Sequence, residues 1–188
     1  MGKLSRSEIV GGDHIYSPRR GYDHHGIYVG ENQVIHFTSS PQGTFSASSS
    51  AMFGPCSVCG FHGGMSGVVQ TCLDCFLDGG DLHRYKYGVD VLLTLLSPRR
   101  KTHTSDSPEI VIQRARKLLE QGFGKYDTVS NNCEHFALYC KIGRHISCAQ
   151  VESIIANVGV SAAGFVINPL LGAGLLSIYA YRRLRTDW

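Results

Sequence analysis

Cys133 stands in the run Asn131-Asn132-Cys133-Glu134-His135-Phe136-Ala137-Leu138-Tyr139-Cys140, at the expected N-terminus of a helix. Unpaired backbone N–H groups and the helix dipole favour a thiolate there. A thiol nucleophile needs a base within hydrogen-bond reach and a third group to orient that base. His24, at the start of one candidate strand, and His36, on the next, are candidates for the two roles. The bland alternative is a buried cysteine acting as a small hydrophobe, with strand histidines as satisfied polar residues. Spacing alone does not decide between them.

Cys133, Phe136, Ala137 and Cys140 follow i, i+3, i+4, i+7 spacing, which predicts one helix face packed against a sheet carrying His24 and His36. His14-Ile15-Tyr16 reads as a short strand after the turn Gly11-Gly12-Asp13. His25–Gly30 and Gln33–Thr38, joined at Glu31-Asn32, predict a hairpin. Leu82–Tyr87 and Val89–Leu96 read as strands. Ser107-Pro108-Glu109 starts a second helix, with Val111, Ala115, Leu118 and Leu119 at helical spacing and Gly122 as its stop. Gly143 is expected to stop the Cys133 helix. The expected fold class is α+β, a small antiparallel sheet with helices.

Residues 41–80, rich in Ser, Gly and Cys, show little periodicity and lack a core of their own. Within them Cys56-x-x-Cys59 and Cys72-x-x-Cys75 supply the four ligands of a tetrahedral thiolate site. A metal crosslink would give such an insert its reason to fold. A closed four-thiolate shell leaves no open position, so the expectation is structural zinc (Zn). Two redox-active pairs, or cysteines packed without metal, are the alternatives, and substitution of one thiolate by His62 is a minor variant. Thiolates would also accept softer ions such as cadmium or lead.

Of 188 residues, 43% are hydrophobic and 18% charged, which excludes a disordered chain. A net charge of +3 without a long basic run argues against nucleic acid as partner. The odd count of 7 cysteines and the polar opening Met1–Glu8 are read as no secretory signal and a reducing compartment. From Ser153 to Tyr181 no residue is charged, a stretch longer than the ~20 residues a membrane-crossing helix needs. Asn157, Asn168-Pro169 and many small residues leave a single span and a two-helix hairpin open. Arg182, Arg183 and Arg185 prefer the cytoplasmic side, which favours the hairpin. The bland alternative is a Gly/Ala-rich helical pair packed on a partner protein. The expected organisation is a main domain over residues 7–147 with the insert at 41–80, a membrane-associating segment at 153–181 and a basic tail at 182–188. That domain would face the cytosol.

Together, Gly12-Asp13, His24–Gly30, Val34-Ile35-His36-Phe37 and Asn131–Phe136 resemble the lecithin:retinol acyltransferase (NC-domain) family, which includes the HRAS-like suppressor phospholipases and acyltransferases. The paired Cys-x-x-Cys insert resembles that of plant NC-domain proteins, including those named for lead sensitivity. The resemblance implies a papain-like, NlpC-type thiol hydrolase fold permuted so that the histidines precede the cysteine. It implies Cys133 as nucleophile, His24 as base and His36 as the group orienting it. Glycerophospholipid is then the substrate, and an acyl-thioester on Cys133 passes to water or to an acceptor. His25 departs from the aromatic residue of many animal members, and His135 is expected to be structural. The competing expectation is a non-catalytic adaptor or auxiliary subunit of a membrane protein. A third is a soft-metal-handling protein.

Overall fold

A computed structural model describes residues 3–39, 54–62, 64–88 and 104–144. The hairpin carries the architecture. β2 (Asp23–Gly30) and β3 (Gln33–Thr38) pair antiparallel with Ile27 opposite Ile35 and Gly26 opposite His36. Their turn has Glu31 at φ 51° and Asn32 at φ 60°, the left-handed pair that lets a tight turn follow the strands' twist. β1 (His14–Pro18) pairs with β2, placing Tyr16 opposite His25 and Ser17 opposite His24. β4 (Gly67–Cys72) flanks β3, and β5 (His83–Arg84) flanks β1. The five-stranded sheet therefore has the order β4-β3-β2-β1-β5, antiparallel throughout.

Among the described residues three α-helices accompany the sheet: α1 (Leu73–Leu77), α2 (Pro108–Gln121) and α3 (Cys133–Ile142). Strand alternation sorts the core into two faces. On one, Ile27, Ile35 and Phe37 meet Val111 and Ala115 of α2 and Phe136, Ala137 and Cys140 of α3. On the other, Ile15 and Val34 meet Leu73, Phe76 and Leu77 of α1. The α+β class, the hairpin and the two longer helices agree with the sequence expectation.

Three departures have physical causes. Gly67–Cys72, inside the stretch read as having little periodicity and no core of its own, is a strand of the main sheet, because Val69 and Thr71 find a buried face against β3. The strand expected over Leu82–Tyr87 shortens to His83–Arg84, which pair with Tyr16 and Ile15, and the Tyr85 N–H then reaches the His14 carbonyl at 2.8 Å. Helix α1 spans a single turn and shows no periodicity to read. The strand expected at Val89–Leu96 and the uncharged stretch Ser153–Tyr181 lie outside the described residues. Among the described residues no helix is long and apolar enough to cross a membrane.

Candidate active site and four-thiol cluster

Each residue of the Asn-Asn-Cys-Glu-His run has a local task. Asn131 donates to the carbonyls of Phe123 and Lys125, pinning the loop before α3. Asn132 caps the helix, its side-chain oxygen accepting from the N–H of Glu134 and His135 at 3.0 and 3.2 Å. Glu134 accepts from the Tyr85 hydroxyl at 2.9 Å. The His135 ring lies 2.9 Å from the Asn132 oxygen, so it belongs to the cap, as a structural role requires. Phe136, Ala137 and Cys140 are fully buried on the predicted face.

That scaffold delivers Cys133 to the edge of β2. Its sulfur lies 3.7 Å from the Asp23 carbonyl. The pairing of β2 with β3 ends at Gly26 and His36, so on that side the peptides of residues 23–25 are left to the thiol. Burial pushes the Cys133 thiol up to about 11. Hydrogen bonding from the His25 backbone N–H opposes the rise, the Glu134 carboxylate adds to it, and Tyr126 and the Glu134 N–H oppose it. Desolvation thus outweighs the helix terminus, and the resting group is a protonated thiol. The sequence expectation of a favoured thiolate counted the dipole and not the burial.

The structure brings His24 and His36 together, Nε2 of the first 3.0 Å from Nδ1 of the second. His36 Nε2 in turn lies 3.3 Å from the Thr71 hydroxyl. Both rings sit on the α1 face, where the Phe76 ring is tilted against His24 at 5.2 Å and edge-on to His36 at 5.4 Å, centroid to centroid. Burial holds both imidazoles neutral: His36 is lowered to about 3, and His24 well below its usual value, the latter also by His36, Arg19 and His25. Arg19 lowers His36 as well, and its guanidinium is anchored on the Phe76 and Leu77 carbonyls.

Alternation puts His25 on the other face, shared with α3. There His25 Nδ1 meets His14 Nε2 at 2.9 Å, and His14 Nδ1 meets the Tyr87 hydroxyl at 2.6 Å. The Cys133 sulfur, at the strand edge, is near the backbone between the two faces. Tyr22 adjoins both parts: its ring is edge-on to His24 at 6.4 Å, and its phenol is within electrostatic reach of Cys133. Sequence reasoning missed Thr71, Tyr22, Tyr126 and Arg19. For Thr71 the only signal was its place before Cys72, which acquires meaning once β4 is registered on β3.

Cys56, Cys59, Cys72 and Cys75 form the second constellation, all four sulfurs lying within 4.8 Å of one another. The Cys59 and Cys75 sulfurs are 3.6 Å apart, and four thiolates at about 2.3 Å from a tetrahedral ion would be separated by about 3.8 Å. Gly60, at φ +72°, turns the chain so that its N–H reaches the Cys56 carbonyl at 2.7 Å. Backbone N–H groups of Cys59 and Val58 point at the Cys56 sulfur and pull that thiol down to about 6. Spacing, donor type and these N–H groups fit a bound metal ion. His62 is not among the clustered ligands.

A family model described as Lecithin retinol acyltransferase matches residues 7–146. Protein LEAD-SENSITIVE 1 of Arabidopsis thaliana is 37% identical across 98% of this chain and 82% of its own length. Lecithin retinol acyltransferase of Bos taurus is 30% identical across 92% of this chain and 72% of its own. Phospholipase A and acyltransferase 2 of Homo sapiens is 32% identical across 90% and 92%.

Proposed function

The chain belongs to the lecithin retinol acyltransferase family, and we propose that it is a membrane-associated thiol enzyme that takes an acyl group from a glycerophospholipid. The observation that carries this reading is the hydrogen-bonded line Thr71–His36–His24, which ends at the strand residue next to the carbonyl touching Cys133. The names of relatives, acyltransferase and phospholipase A, supply the reaction class.

The chemistry follows from protonation states. With His24 Nε2 donating to His36 Nδ1, His36 must carry its proton on Nε2 and donate to Thr71. That tautomer leaves His24 Nδ1 with a lone pair. As the Cys133 sulfur bonds the ester carbonyl carbon, the S–H proton passes to His24 Nδ1. Collapse of the tetrahedral intermediate breaks the C–O bond, and the lysolipid alkoxide leaves with the proton that His24 held. The second half runs the other way: His24 takes a proton from water or an acceptor alcohol or amine, whose oxygen or nitrogen bonds the acyl carbon; the C–S bond then breaks and the proton on His24 returns to the Cys133 sulfur. Both resting groups are neutral, so the proton moves during attack and not before it.

Cys56, Cys59, Cys72 and Cys75 would hold zinc in a closed shell, which supplies a crosslink and takes no part in acyl transfer. The uncharged stretch Ser153–Tyr181 and the arginines after it support a membrane attachment with the domain on the cytosolic side.

Fatty-acid release from phosphatidylcholine by the full chain is the test. His24→Gln and Cys133→Ala should each abolish turnover while circular dichroism stays native. Full turnover in either variant would exclude the assignment. One observation favours a second reading: the half-buried position of Cys56 and Cys59 at the four-thiol site, beside a relative named for lead sensitivity, suits a site that takes soft ions. Displacement of zinc by lead at micromolar concentrations, with loss of the cellular role on Cys56→Ser but not on Cys133→Ala, would favour it.

A further inference from the structure

Three side chains surround the His36 ring besides His24, and each is within two residues of a cysteine of the cluster. Thr71, whose hydroxyl lies 3.3 Å from His36 Nε2, immediately precedes Cys72. Phe76, at 5.4 Å, immediately follows Cys75. Phe61, at 6.1 Å, is two residues beyond Cys59, and its carbonyl accepts from the Cys56 N–H at 2.9 Å. No other part of the described chain contributes a hydrogen bond or a ring contact to that imidazole.

Thr71 is held by the pairing of β4 with β3 and Phe76 by the core around Leu73 and Leu77, whereas Phe61 lies in a segment without strand or helix, so the four sulfurs are what join that segment to the strand end and the helix. Helix α1 spans Leu73–Leu77, far below the ~12–15 residues an isolated helix needs for marginal stability. Phe61 belongs to a loop tied to α1 through Cys59 and Cys75, whose sulfurs are 3.6 Å apart. Four mutually close thiols repel once ionised, and a divalent cation converts that repulsion into a crosslink between loop, strand end and helix.

We propose that a metal ion bound by Cys56, Cys59, Cys72 and Cys75 fixes Thr71, Phe61 and Phe76 around His36, and so sets the orientation and tautomer of the His36–His24 pair. The cluster is then a positioning device for the acyl-transfer site, with Thr71 as the acceptor that keeps the His36 proton on Nε2. The proposal rests on the catalytic reading of His24 only for its consequence in activity, not for the coupling itself.

The full chain in detergent micelles, loaded with zinc and then stripped by a chelator, supplies the test. Long-range 1H–15N spectra of the imidazoles report tautomer and order, with His14 and His25 on the opposite face as internal controls. Stripping should shift or broaden the His24 and His36 signals, leave His14 and His25 unchanged, and slow acylation of Cys133 by about tenfold to a hundredfold; added zinc should restore both. Thr71→Val provides a second route. It should keep stoichiometric zinc yet move His36 away from its Nε2–H signature, with slower acylation. Unchanged His24 and His36 signals on stripping would overturn the coupling, even in a protein that acylates normally. So would loss of all four histidine signals together, which would make the ion a general folding element. A response at His36 in a protein that never acylates would uphold the coupling and sink the catalytic reading instead.

Discussion

Raising pH is the most direct way to ask whether Cys133 rests as thiol or thiolate. Its acidity sits at about 11 against an ordinary 9.0, with burial as the largest cause. At neutral pH this two-unit difference makes the ionised fraction about a hundred times smaller than for a free thiol, and ionising it at pH 7 costs about 5 kcal/mol. The full chain in detergent would be pulsed with iodoacetamide from pH 6 to 10, quenched, digested, and the Cys133 peptide quantified by mass spectrometry. The same peptide from chain unfolded in guanidinium serves as reference. The native rate should rise about tenfold per pH unit without a plateau below pH 10, and at pH 7 lie at least about a hundredfold below the reference. His24→Gln should leave that profile in place, because a neutral imidazole stabilises no thiolate. A plateau by pH 7, lost in His24→Gln, would mean a resident thiolate–imidazolium pair and refute the burial argument.

Three further outcomes follow from single contacts. Asn132→Ala removes the cap of α3 and should cost about 1 kcal/mol, up to about 2, in urea unfolding, with slower acylation because the helix start carries the thiol. Lys141 donates to the Gly12 carbonyl at 2.8 Å from a buried position. Lys141→Met should lower stability by about 1–3 kcal/mol by leaving that carbonyl without its donor, read from the denaturant midpoint. His36 is neutral when folded, its value lowered from 6.5 to about 3, so the unfolded chain binds the extra proton first. Stability should therefore be complete above pH 6.5 and fall by about 1.4 kcal/mol per unit as pH drops from there toward 3. In His36→Gln the slope should be smaller by that amount, and an unchanged slope would show that burial does not lower the ring's value in the folded chain.

Much of this architecture was legible because it is local. The β-branched runs on either side of Glu31-Asn32 announce the hairpin, and the i, i+3, i+4, i+7 face of the Cys133 helix announces its own packing. The Cys-x-x-Cys pairs announced a cluster whose sulfurs do converge. What stayed hidden depends on partners distant in the chain. Gly67–Cys72 becomes a strand only opposite Gln33–Thr38, and its glycine and cysteine content masks the alternation. Spacing does not say where consecutive His24 and His25 point; the resemblance picks His24, and the register assigns it to the Phe76 face and His25 to His14. The acidity of Cys133 balances a local dipole against burial, and burial is a property of the whole fold.

Intact mass spectrometry of the full chain after incubation with phosphatidylcholine tests the central assignment most directly, beside Cys133→Ala. The account predicts a hydroxylamine-labile fatty-acyl adduct on the wild-type chain, mapped to the Cys133 peptide and absent from the variant. A folded, zinc-loaded chain that gains no adduct from any glycerophospholipid class, or one that acylates equally well without Cys133, would contradict it.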